Sequence, residues 1–227
     1  MKTIDTHGIT YIEPVPGGTS EWYYGISYEH GDLYEAEEVF RSGELVKGNS
    51  LCLIHYPDGE VFWPIPKEAG TYSEKPVFLN GVIYLLNVDF RHSTIRIFRF
   101  DCRSHEVALY QEVSLSSVKS CYNLQLHTPP LSLTRQGEED AFEIIWPERI
   151  CFAIDPHESF FLRDEEKLYF SKWYEEGEGP DYRYWEETVI RDLKGDLLEI
   201  LPGDLRVMPN GEVWHLTGCD EENTIEE

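Results

Sequence analysis

Asn80-Gly81 stands between two apolar runs, residues 76–79 and 82–88, and constrains the chain more than any other short segment. Both residues of such a turn must accept positive φ, which Asn and Gly do at little cost. The flanking runs therefore fold back as antiparallel neighbours. After a polar break at 89–93, residues 94–100 set Ile95, Ile97 and Phe98 against Arg96 and Arg99. Residues 101–105 turn the chain and 106–113 run back. The stretch 76–113 thus predicts four antiparallel strands in up-and-down order, the size of one propeller blade.

The same cadence runs through the chain. Turn signals of an outer kind fall near Gly8, Gly59, Ser104, Pro147 and Gly195, at intervals of 51, 45, 43 and 48 residues by subtraction. Turn signals of an inner kind fall near Gly18, Asn80, Pro129, Glu165 and Gly211, at intervals of 62, 49, 36 and 46. The two series interleave, which predicts five inner and five outer pairs. The C-terminal inner pair (205–216) lacks an outer partner, and the N-terminal outer pair (2–15) lacks an inner one. Joining them closes the ring and removes exposed sheet edges. The expectation is one all-β domain over residues 1–227: a five-bladed β-propeller with four antiparallel strands per blade, closed by the N-terminal and C-terminal strands in one blade. Residues 219–227 form an acidic tail. An irregular β-sandwich is the competing architecture.

The motif Gly81-Val82-Ile83-Tyr84-Leu85-Leu86 returns as Gly211-Glu212-Val213-Trp214-His215-Leu216. It resembles the blades of kelch-like propellers, and the resemblance extends over most of the chain. The paired glycines of kelch blades and the Trp-Asp ending of WD blades are missing. The resemblance implies a fold and no functional residues.

Charge narrows the partners. A net charge of −24 repels nucleic-acid phosphates, so no nucleic acid is expected. Cys52, Cys102, Cys121, Cys151 and Cys219 are scattered, with no C-x-x-C pair, which reads as reduced thiols in a cytoplasmic chain. The first residues lack an apolar signal core and no run approaches a membrane span, so no membrane association is expected. Phosphate-loop, nucleophile-elbow and H-E-x-x-H signatures are absent, so no cofactor is expected. The eight histidines are isolated, and no metal site is expected; His55 and His215 read as structural, and His30 and His92, in loops, are the better ligand candidates.

Two insertions remain, at 29–49 and 174–187, each joining a second strand to a third. In a propeller such connections share one face, so both should rise on the same side. Within the first, residues 34–40 predict one or two helical turns. Long connections of this kind commonly carry function. Their content is carboxylates among aromatics: Asp32, Tyr34, Glu35 and Glu37 in one, and Trp173, Tyr174, Asp181, Arg183 and Trp185 at the other. That chemistry suits sugars stacked on rings, cations held by charge and π-faces, or a hard metal such as calcium. A solvated acidic rim is the plain alternative. Two functions follow: a binding module whose acidic, aromatic face takes a small ligand, a carbohydrate or a basic peptide or protein segment, or a carbohydrate-active enzyme. The enzyme needs two carboxyl groups about 5 to 10 Å apart, for which Glu35 or Glu37 opposite Asp181 is the sequence candidate.

Overall fold

The structure, a computed structural model, describes residues 1–137 and 139–217. Strands β1 (Glu13–Pro14) and β2 (Trp22–Ile26) lead to helix α1 (Leu33–Arg41), then to β3 (Leu51–His55) and β4 (Val61–Phe62). Strands β5 (Thr71–Ser73) and β6 (Val77–Leu79) both pair with β7 (Val82–Asp89), which β8 (Thr94–Asp101) and β9 (Val107–Ser114) follow. The third sheet is β10 (Gln125–His127), β11 (Ser132–Gly137), β12 (Ala141–Trp146) and β13 (Ile150–Ala153). The fourth is β14 (Glu158–Asp164), β15 (Lys167–Glu176), β16 (Arg183–Asp192) and β17 (Leu197–Pro202). A hairpin of β18 (Asp204–Val207) and β19 (Val213–Leu216) ends the described chain. Every strand pair is antiparallel, and each full sheet runs in sequence order, the propeller arrangement.

The second sheet shows how neighbouring blades share cores. β7 pairs with β8 through eight residues, from Val82↔Asp101 to Asp89↔Thr94. Alternation sends Ile83, Leu85 and Phe100 to one face, where they meet Trp22, Tyr24, Leu51 and Leu53 of the first sheet. Leu86, Val88, Ile95 and Ile97 on the other face meet Leu126, Leu131 and Leu133 at the third sheet. Phe142, Ile144 and Ile150 of the third sheet then pack on Leu168, Phe170 and Val189 of the fourth. Buried cores thus join first to second, second to third and third to fourth.

The fifth blade of the sequence reading is a correction. Four sheets carry the blades, and β18–β19 forms a two-stranded sheet of its own. Residues 2–12 contain no strand and do not pair with 205–216. Burial decides this: Ile4 and Ile9 pack against Cys52 and Ile54 on the first sheet, and Thr6 to Ile9 closes a local turn by a 3.1 Å backbone bond. The turn at Gly18 and the turn at Gly211 lie close together. A Cβ on Gly18 (φ +91°) would fall 2.7 Å from Gly211 Cα, so this close approach needs glycine at position 18. Cys52, Cys102, Cys121 and Cys151 are unpaired, and Cys219 lies outside the described residues.

Candidate functional site

Helix α1 begins at an Asp32 N-cap: its side chain accepts the Glu35 amide at 2.9 Å, and Glu35 accepts the Asp32 amide at 2.8 Å. Leu33 and Ala36 then insert among Tyr72 of β5, Phe90 just after β7 and Cys121 in the connection before β10. Glu37 is pulled in with them, 4 % exposed. Its carboxylate pairs with Arg41 at 2.8 Å and accepts the Cys121 amide at 2.6 Å. Of the four candidates in this insertion, Glu35 and Glu37 are therefore engaged in holding the helix. Asp32 also lines a cavity, and so does Tyr34, whose ring meets Tyr122 edge-on at 5.3 Å.

The second insertion is not a loop. β15 and β16 stay paired from Lys167↔Asp192 out to Glu176↔Arg183, making a ribbon that runs beyond the rest of the sheet. Tyr174 and Trp185 are opposite each other and stack at 5.1 Å. Trp173 stacks on His157 at 3.9 Å, and Lys172 lies over the Tyr174 ring at 5.2 Å. Tyr182, Tyr184 and Trp185 are exposed. Asp181 and Arg183 line a depression at the ribbon tip together with Glu176, Gly177, Pro180 and Tyr182. The residues of the two insertions thus line separate cavities.

Sequence reasoning missed the space between the sheets. A cavity of about 590 Å³ takes its walls from all four sheets and the final hairpin, with Pro14, Val15, Pro16, Val77, Leu126, Phe161, Val207 and Met208 giving it an apolar character. His127 also lines it; burial drops its imidazole to about 4, so it is neutral, and Nε2 has no hydrogen-bond partner among the described residues. A second cavity, about 240 Å³, adjoins the first, since Lys75 and Gln125 line both. This one is polar, with Tyr28, Asp32, Tyr34, Glu74 and Lys75. Burial pushes the Glu74 carboxyl up from its ordinary value, against hydrogen bonds from the Lys75 and Leu33 backbones and the Lys75 charge; Asp32 adds to the rise. Burial raises Tyr28 as well, with the charges of Glu74, Glu13 and Asp32. A carboxyl perturbed by burial in a cleft marks a functional-site candidate. One signal was legible in the sequence: Glu74-Lys75 falls at the entry to a blade, directly before Pro76.

Among the histidines, His92 Nδ1 lies 2.8 Å from Asp89, and His30 Nε2 accepts the Lys47 amide at 2.9 Å. Among the described residues no group of three or more His, Cys, Asp or Glu is placed to hold a metal ion, and no helix is long and apolar enough to cross a membrane. Fold and site together define a β-propeller-like arrangement of sheets with two adjoining cavities, one apolar and one polar. No family model and no curated protein matches the chain.

Proposed function

We propose that the protein is a non-catalytic propeller module that binds a small ligand, a glycan or a basic segment on its acidic, aromatic side. The pair of adjoining cavities is the principal site. One observation carries this reading: an apolar chamber and an acidic one share Lys75 and Gln125 as a common wall. Such a site suits a ligand with an apolar body and a cationic or hydroxyl-bearing end, including a Lys or Arg side chain of a partner. The volume falls within the range of about 300–1,000 Å³ usual for small-molecule sites. The aromatic ribbon, with Trp173, Tyr174 and Trp185, offers stacking faces for a sugar or a cation.

The test is a thermal-shift series with alkylamines, basic peptides, soluble glycans and calcium, since a ligand selective for the folded state raises Tm. Asp32→Asn keeps the helix cap, because Asn caps as well as Asp, while removing the charge. At least one cationic probe should raise Tm, and Asp32→Asn should reduce the shift. The reading fails if no probe acts, or if the variant responds as fully as the parent. The enzyme reading has one observation in its favour: Glu74, its carboxyl raised, shares a cavity with Asp32, as the paired carboxylates of a glycosidase would. Hydrolysis of chromogenic glycosides that disappears in Glu74→Gln would select it.

A further inference from the structure

The second strand of each complete sheet has its residues largely or partly covered, and the second strand of the final hairpin has none covered. β2, β7 and β11 are mainly buried, whereas all four residues of β19 are exposed. Val207, Val213, Trp214 and Leu216 are 41–50 % exposed. Among the described residues no outer pair covers them: β18–β19 is a sheet of two strands, and Ile4 and Ile9 pack on the first sheet.

The free edge of β19 has a definite hydrogen-bonding pattern. The Met208 amide donates to the Glu212 carbonyl at 2.7 Å, and the register pairs Arg206 with Trp214 and Asp204 with Leu216. In an antiparallel ladder the bonded residues alternate, so Trp214 and Leu216 turn their backbone groups toward β18. Val213 and His215 turn theirs outward, where no strand meets them among the described residues. Proteins usually blunt such an edge with proline, lysine or a bulge. Residues 213–216 carry none of these and no formal charge with His neutral.

We propose that this edge is filled by a second copy of the chain, β19 pairing antiparallel with β19 about a twofold axis at Trp214. Two half-blades then make one sheet of four strands, the number that three of the four larger sheets carry. Val213 of one copy lies opposite His215 of the other, and these residues, whose groups point outward, exchange the hydrogen bonds. Trp214 faces Trp214 at the closer, non-bonded position, where an aromatic pair contributes most. The patch is thus self-complementary, as a twofold interface requires. Each copy carries a charge of −24, so the copies repel at long range and salt favours the pair.

Sedimentation of the full chain under reducing conditions tests this. The weight-average mass should climb with concentration from 26.5 kDa toward twice that value, and climb further when NaCl rises from about 50 mM to about 500 mM. Val213→Pro deletes an outward N–H without touching a bond to β18, and Trp214→Ala deletes the central ring; each should return the mass to 26.5 kDa with Tm unchanged. Trp185→Ala, on the ribbon, should leave the association intact. The proposal is overturned if the chain stays monomeric at every concentration and salt, if association survives Trp214→Ala, or if Trp185→Ala abolishes it.

Discussion

Helix α1 and the β15–β16 ribbon occupy the same topological place, between the second and third strands of a sheet, and have the same ingredients. Each mixes carboxylates with aromatics, yet one is drawn into the ring and the other stands away from it. Spacing separates them. In the first insertion Leu33 and Ala36 recur at helical distance and give one face to the core, so its carboxylates become caps and ion-pair partners. In the second, Tyr174 and Trp185 face each other across a two-residue-period ribbon and satisfy one another without a core. Composition alone therefore identifies an insertion but not which side chains are left free to meet a ligand.

The contrast is sharpest in stability. Leu33→Ala, at a site 2 % exposed, should cost about 3 kcal/mol in denaturant unfolding, and Trp185→Ala less than about 0.5 kcal/mol. Equal costs would place the ribbon in the core and end the distinction. Glu37→Ala comes next. It strands the buried Cys121 amide, an expected loss of about 2 kcal/mol; a change near zero would mean that amide finds another partner. Asp32→Ala removes the cap and should cost about 1 kcal/mol, while Asp32→Asn should cost a few tenths at most. If the two variants melt together, the capping box contributes nothing and Asp32 belongs to the pocket alone.

The smallest effect is one of pH. Glu74 is raised in the folded state, so the fold binds its proton more tightly than the unfolded chain does. Its contribution is neutral below the ordinary value of 4.5 and becomes a penalty as pH rises through the folded-state value. Glu74→Gln should therefore be more stable than the parent at pH 7, by a margin that vanishes below about pH 4.5. A margin that does not change with pH would mean that the carboxyl is not perturbed by its place beside α1.

Nine of the ten turn signals in the sequence sit where the chain turns between paired strands, from Gly18 to Gly211. They were legible because turn chemistry and two-residue alternation are local properties: Asn80-Gly81 demands its hairpin whatever surrounds it. The helical segment was legible for the same reason, through the helix-forming residues of 34–40, whereas its Asp32 cap came from the structure. The tenth signal, near Gly8, misled because its flanking strands would have had to find partners some 200 residues away, and Ile4 and Ile9 bury more readily on the adjacent first sheet.

The sequence by itself determined the hairpins, their order and the acidic character of the chain. Only the tertiary structure decided which carboxylates are spent on holding α1, that Glu74 and Lys75 share a cavity with Asp32, and that the last hairpin has no outer pair among the described residues. The reason is physical: turns depend on neighbours in sequence, whereas burial, perturbed ionisation and an open sheet edge depend on segments brought together from across the chain.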